Sequence, residues 1–118
     1  MRIVVVGAGK LGYSVAQLLA NDQYDVVAIE QDEKRREVVK NNLDVLTVGA
    51  NGASPLTMSE TFVKDADMLL ASTDSDEANM VICMLAKQNG VKHTVARIRN
   101  TDYTQLSDVF LKDNMKVD

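Results

Sequence analysis

The sequence predicts a doubly wound, Rossmann-like α/β fold with a parallel sheet in the order 3-2-1-4-5, and three observations carry that prediction. Short β-rich apolar runs alternate with helical patterns along the whole chain. The runs are apolar at consecutive positions rather than at alternate ones, as in strands covered by helices on both faces. The first run leads directly into Gly7-Ala8-Gly9-Lys10-Leu11-Gly12, a glycine loop between a strand and a helix. Right-handed crossovers then set the strand order.

The first strand is Ile3-Val4-Val5-Val6, followed by a helix with Leu11, Val15, Leu18 and Leu19 at helical spacing. Val26-Val27-Ala28-Ile29 is the second strand. A charged helix from about Glu33 to Asn41 follows, with Val38 and Val39 expected to face inward. The third strand is Val45-Leu46-Thr47-Val48. Ser54-Pro55 then reads as an N-cap with proline at the first helical position, opening a helix with Leu56, Met58, Phe62 and Val63. The fourth strand is Met68-Leu69-Leu70-Ala71. Thr73-Asp74-Ser75-Asp76 has the form of a capping box, and its helix carries Val81, Ile82, Leu85 and Ala86 before stopping at Asn89-Gly90. Thr94-Val95-Ala96-Arg97-Ile98 is the fifth strand, and a last helix carries Tyr103, Leu106, Val109 and Phe110. A sixth strand is expected to begin at Lys116-Val117-Asp118, which makes residues 1–118 one domain and a fragment of a longer chain.

Composition narrows the function classes. The 118 residues suit one domain, and with 46% apolar and 25% charged residues the chain is an ordinary globular one. A net charge of -4 argues against a nucleic-acid surface, which needs clustered Lys and Arg. Lys34-Arg35-Arg36 is the one basic run and sits among acids. A single cysteine, Cys83, forms no internal disulfide and fits a reducing, cytosolic setting. It lies in the apolar stripe of the fourth helix and is expected to be buried and inert. No run approaches the length of a membrane helix, and the opening β-rich stretch is too short for a signal-peptide core, so direct membrane insertion is not expected.

The glycine loop has a specific physics. Gly7 allows the tight turn, Gly9 lets a pyrophosphate approach the backbone, and Gly12 lets helix and strand pack closely. The helix start adds unpaired N–H groups and the positive end of a dipole. The alternative is a tight turn with no ligand. Glu30 ends the second strand 18 residues past Gly12, where an acid accepts hydrogen bonds from a ribose diol and repels a 2′-phosphate. Asp32 is the second choice for that role, and Lys34, Arg35 and Arg36 would soften the bias against NADP unless they are only the helix's solvated face.

Ser72-Thr73-Asp74-Ser75-Asp76-Glu77, with Asn79 after it, lies at the carboxyl end of the fourth strand, beside the first at the switch point. Capping alone would account for Thr73 to Asp76. Asp74, Asp76 and Glu77 would repel phosphate unless a cation intervenes. Arg97 and Arg99, two apart, are expected on one side of the fifth strand, as phosphate-binding forks or as an exposed pair at the sheet rim. His93 shows no catalytic partner and reads as structural or exposed, and the methionines read as core fillers.

Taken together, these blocks resemble the regulator of potassium conductance, or TrkA-type, N-terminal domain, over essentially the whole chain. Besides the loop, Ala66-Asp67-Met68-Leu69-Leu70-Ala71 with Thr73, Asp76-Glu77 and Asn79-Met80 resembles the family's fourth-strand block, and Ala96-Arg97-Ile98-Arg99 its fifth-strand block. The resemblance implies a regulatory, non-enzymatic subunit without a metal site, cytosolic and peripheral to the inner face of the membrane. It would bind NAD or NADH foremost, with ATP, ADP or AMP as further candidates, and would gate a membrane potassium-translocating partner as a dimer or ring. It implies phosphate contacts from Gly7, Ala8, Gly9, Lys10, Leu11 and Gly12, ribose contact from Glu30, crevice roles for Thr73 and Asp74, and phosphate-side roles for Arg97 and Arg99. Where the family often has Gly-Asp-Ala-Thr/Ser, this chain has Gly49-Ala50-Asn51-Gly52-Ala53-Ser54, with Asn51 in the aspartate's place; Thr61-Phe62 replaces Ala-Gly. The alternative function is the cofactor domain of an NAD-dependent dehydrogenase, which would need a substrate site and a proton donor beside the nicotinamide.

Overall fold

The computed structural model describes residues 1–104. Leu106, Val109 and Phe110 of the expected last helix and the strand start at 116–118 lie outside the described residues. Within them the elements run β1 (Arg2–Val6), α1 (Lys10–Asn21), β2 (Asp25–Ile29), α2 (Glu33–Asn42), β3 (Leu46–Val48), α3 (Pro55–Met58), α4 (Thr61–Lys64), β4 (Met68–Ala71), α5 (Asp76–Gln88), β5 (His93–Ala96) and α6 (Thr101–Thr104). Among the described residues the sheet has five parallel strands in the order β3-β2-β1-β4-β5, as the alternating pattern predicts.

Both faces of the central strands are buried. Val4, Val6, Val27, Ile29 and Leu69 pack with Met58, Val63, Ile82, Cys83 and Ala86 on the α3–α5 side. Ile3, Val5 and Val26 pack with Ala16, and Ala28 with Val39, on the side of α1 and α2. Each fully buried aliphatic side chain of this kind contributes about 1.5–3 kcal/mol over an exposed one. The register pairs Val6 with both Ile29 and Ala71. The carboxyl ends of β1, β2 and β4 therefore finish level, which brings Gly7, Glu30 and Ser72 to one edge.

Several local expectations are corrected. Helix α1 buries Gly12 and Ala16, with Leu19 half-buried behind them, whereas Leu11 and Leu18 point outward and Leu18 is 63% exposed. Small residues win that face because they let the helix axis approach the sheet. Val39 faces the sheet and Val38 does not, since neighbouring residues on a helix point about 100° apart. The third helix is broken into α3 and α4. Glu60 is extended between them and the Ser59 hydroxyl donates to the Leu56 carbonyl at 2.7 Å, leaving Leu56 exposed while Met58 and Val63 reach the core. The cap of α5 is Ser75, whose Oγ accepts the Ala78 N–H, rather than Thr73. Strand β5 stops at Ala96, so Arg97 and Arg99 lie beyond it.

Candidate functional site

The site is built from the glycine loop outward. Gly7 sits at φ +93°, and a Cβ there would come within 2.9 Å of the Ser72–Thr73 backbone. A Cβ on Gly12 would run into the Gly7 carbonyl oxygen, so α1 can lie this close to the turn only with glycine. Gly9 is different: a Cβ there would meet only the Arg35 guanidinium, at 3.6 Å. Ser72, buried beneath the loop, donates its hydroxyl to the Gly7 carbonyl at 3.0 Å and pins the turn from β4. The first turn of α1 starts at Lys10, where backbone N–H groups have no partner one turn back.

Glu30 is only 7% exposed, and its two oxygens accept different backbone N–H groups, Oε1 from Ala8 at 2.7 Å and Oε2 from Asp32 at 2.8 Å. Asp32, the second choice for the ribose role, instead caps α2 by accepting the Arg35 N–H at 2.9 Å. Arg36 turns inward, donates to the Glu30 carbonyl at 3.1 Å and packs where Gly49 has no side chain. Arg35 turns the other way and reaches Asp74, with Nη1 3.5 Å from Oδ2.

At the end of β4, the fully buried Asn79 organises the wall. Its Oδ1 accepts from the Thr73 N–H (2.9 Å) and hydroxyl (2.6 Å), and its Nδ2 donates to the Thr73 and Arg97 carbonyls at 3.2 and 2.8 Å. Asp76 accepts the N–H groups of Arg99 and Asn100 at 3.0 and 2.7 Å, and these bonds, with the nearby Arg99 and Arg97 charges, hold its carboxyl below the usual aspartate range. Arg99 donates through Nη2 to the Asp74 carbonyl at 3.0 Å.

Two adjoining clefts open on this edge. One, of about 270 Å³, is lined by Gly7, Glu30, Asn51, Thr73 and Asp74 among others; the second, of about 360 Å³ between α1 and α2, is lined by Ala8, Gly9, Lys10, Tyr13, Ser14 and Val38. Arg35 lines both. Of the residues expected from sequence, Leu11 points outward, Gly12 lies buried beneath the turn, and Arg97 and Arg99 line neither cleft. His93 starts β5 and is therefore at the opposite end of the sheet from the site. In the sequence Arg35 stood only as one of three basic residues that would soften the bias against NADP or form the solvated face of α2, and Asn79 only as the tail of a polar cluster. A polar residue three, four and seven positions before Ile82, Cys83 and Ala86, in the buried stripe of α5, was the available signal for Asn79.

A glycine loop on this edge, facing a buried acid at the end of β2, can be compared with known proteins. A profile of the TrkA-N domain matches residues 3–113. The chain belongs to the TrkA-N family. Among TrkA-N relatives, a Trk system potassium uptake protein TrkA of Halomonas elongata is 33% identical over all of this chain and 26% of its own length. A TrkA homolog of Methanothermobacter thermautotrophicus is 33% identical over 89% of this chain and 49% of its own. The chain thus spans between a quarter and a half of the length of these two relatives. The TrkA-N domain of the inner membrane protein ybaL from Escherichia coli superimposes with a TM-score of 0.81 at 19% identity, covering 99% of this chain and 83% of that one. A GsuK channel bound to NAD superimposes at 0.76 and 13% identity, over 86% of this chain and 18% of that one. The last two likenesses concern the fold.

The residues of this TrkA-N domain fit a dinucleotide. The cradle at Gly7 and Gly12 excludes side chains, Gly9 leaves the approach to the α1 start open, and Glu30 presents an anionic acceptor beside the first cleft. The Asn51 side chain closes its own turn by accepting the Ala53 N–H at 3.0 Å, and Gly52 lets that turn press against Val6, so the stretch after β3 forms a cleft wall by backbone packing. Among the described residues, no helix is long and apolar enough to cross a membrane.

Proposed function

We propose that this domain binds an adenine nucleotide, NAD or NADH foremost, and through it regulates a membrane potassium transporter. The observation that supports the reading most is the pairing of the glycine loop, with no side chain at Gly7, Gly9 and Gly12, with the buried Glu30 carboxylate, on the edge where open α/β sheets take their ligands. A diphosphate would lie over Gly9 against the first turn of α1, with Lys10 beside it. The ribose diol would meet Glu30 and the adenine would enter the cleft between Asn51 and Thr73. ATP, ADP and AMP share the phosphate and ribose parts of that fit. The potassium role is carried from the names of the relatives, and a place at the inner face of the membrane, in a dimer or ring, is part of the same proposal.

Calorimetric titration with NAD, NADH, ATP, ADP and AMP tests the binding. Failure of all five at millimolar concentration, with a folded sample, would overturn it. Potassium flux, measured with the full-length protein and its membrane partner reconstituted, tests the regulation. Nucleotide-dependent flux is expected, and flux that ignores both the nucleotide and a Gly9 variant unable to bind would end that reading. The dehydrogenase alternative needs a proton donor at the crevice, and His93, the sequence's one histidine, stands at the far end of the sheet.

A further inference from the structure

A phosphate over Gly9, in the second cleft, would meet an electrostatic obstacle, because Asp74 lines the adjoining first cleft and like charges disfavour one another. The fold places a cation between them. Arg35, in the first turn of α2, lines both clefts, with its Nη1 3.5 Å from Asp74 Oδ2 and 3.6 Å from where a Cβ of Gly9 would stand. The neighbouring carboxylate, Asp76, is engaged elsewhere by the N–H groups of Arg99 and Asn100.

We propose that Arg35 is a phosphate ligand of this crevice, held beside Gly9 by Asp74, and that the two residues set the preference for phosphate-bearing nucleotides over the bare nucleoside. The proposal rests on the nucleotide-binding reading and names a ligand that the glycine loop alone does not supply. Loop N–H groups and the helix start orient a phosphate but carry only partial charge. A guanidinium adds a full charge and two parallel donors.

The Arg35–Asp74 pair is suited to exchange. Its side chains are 49% and 72% exposed and the contact is long, so the ion pair is weak and solvent-screened. A phosphate within reach offers Arg35 a bidentate partner in its place. The backbone of Asp74 need not move in the exchange, because its carbonyl is held from behind by Arg99 Nη2 at 3.0 Å. Its carboxylate therefore stays at the cleft as a standing competitor: a nucleotide with phosphate takes Arg35 from it, whereas adenosine does not.

The test is calorimetric titration of the full chain with adenosine, AMP, ADP and NAD, in the wild type, Arg35→Gln, Asp74→Asn and the double variant. Arg35→Gln is expected to weaken ADP and NAD by about tenfold or more, the worth of a charge-assisted hydrogen bond, and to leave the adenosine signal as it is. Asp74→Asn is expected to tighten ADP, and most of that gain should vanish in the Arg35→Gln background, because the two substitutions act on one interaction. Both side chains are exposed, so melting temperatures should be unchanged and serve as the folding control. Wild-type ADP affinity in Arg35→Gln, an equal loss for adenosine, or an Asp74→Asn gain of the same size in both backgrounds would each overturn the proposal. If the wild type binds ADP and Gly9→Val abolishes it while Arg35→Gln does not weaken it, the Arg35 assignment alone falls; if the wild type binds no nucleotide, the parent reading falls with it.

Discussion

The Ala8 N–H donates to Glu30 Oε1 at 2.7 Å, tying the glycine loop after β1 to the carboxyl end of β2 across 22 residues of sequence. The other oxygen takes the Asp32 N–H, so one side chain shapes both turns that border the crevice. A carboxylate has about four lone-pair sites, which leaves two for a ribose diol. Glu30 is thus a structural acceptor, and in the proposed complex it would be a ligand acceptor as well. Glu30→Gln should expose the conflict between these roles: the amide can serve one backbone N–H but turns an NH2 toward the other. We expect a loss of about 1–3 kcal/mol in urea unfolding, the cost of a buried group left unsatisfied. NAD should bind more weakly and its advantage over NADP should narrow, since the carboxylate that faces a 2′-phosphate is gone. Unchanged selectivity in this variant would remove Glu30 from the ribose site.

Gly9 and Gly12 should separate binding from stability. A Cβ on Gly12 meets the Gly7 carbonyl and comes 2.8 Å from the Ser72 hydroxyl, and the backbone contact cannot yield without moving α1 off the sheet. Gly12→Ala is therefore expected to lose about 1–3 kcal/mol, the range for overpacked sites. A Cβ on Gly9 meets only the tip of Arg35, and its φ of −71° suits any residue. Gly9→Ala should keep stability within about 1 kcal/mol, the scale of an N-cap change, while nucleotide affinity falls because the methyl stands where a phosphate must approach. Parallel melts and titrations check both; a Gly9 variant that unfolds would show that the loop has no spare room.

The parallel sheet, its strand order and the meeting of the glycine loop with Glu30 at one edge were legible in the sequence, because consecutive apolar residues and the Gly7–Gly12 loop depend on local pattern. The orientation of some helix residues was not. The loop motif set Gly12 against the strand, but counting apolar residues favoured Leu11 and Leu18 on α1, whereas close approach to the sheet favoured Ala16, and the distance between helix and sheet is a tertiary quantity. Arg35 and Arg36 are neighbours in one basic run, yet one reaches over the loop and the other packs on Gly49, a difference set by how α2 crosses the sheet. A fifth strand running to Ile98 would have set Arg97 and Arg99 on one side of the sheet rim; with the strand ending at Ala96, Arg99 instead braces the carbonyl of Asp74.

Asn79 should behave as the keystone of the wall between β4 and β5. All of its amide contacts are internal and it is fully buried. Asn79→Ala leaves the Thr73 N–H and the Arg97 carbonyl without this partner and opens a small cavity, so a loss of about 2–4 kcal/mol is expected. Asn79→Asp keeps the acceptor for Thr73 but turns carboxylate oxygens toward two carbonyls, and should be comparably damaging at neutral pH. Chemical denaturation measures both, and a cost below that of an ordinary surface substitution would mean that the Thr73 turn holds without it.

The segment beyond β5 should loosen in acid, through Asp76. The N–H groups of Arg99 and Asn100 donate to its two oxygens, and they hold its carboxyl below the ordinary aspartate value. A carboxyl lowered in the folded state is protonated more readily in the unfolded chain, so its contribution is complete above the unfolded pKa, about 3.9. That contribution declines as pH falls below this value and is lost once the folded carboxyl itself is protonated. The substitution Asp76→Asn removes the charge at every pH and turns one NH2 against a backbone N–H. The variant should therefore be less stable than the wild type at neutral pH, with the difference shrinking on the acid side. Amide resonances of Arg99 and Asn100 should titrate together, at a midpoint below that of a free aspartate. Asp76 and the Asp74 carbonyl hold Arg99 and Asn100 against the wall of the crevice, beside the bond from Asn79 to the Arg97 carbonyl. If the Arg99 and Asn100 amides show no common titration, or if Asp76→Asn runs parallel to the wild type down to strongly acid pH, Asp76 is not the anchor of that segment.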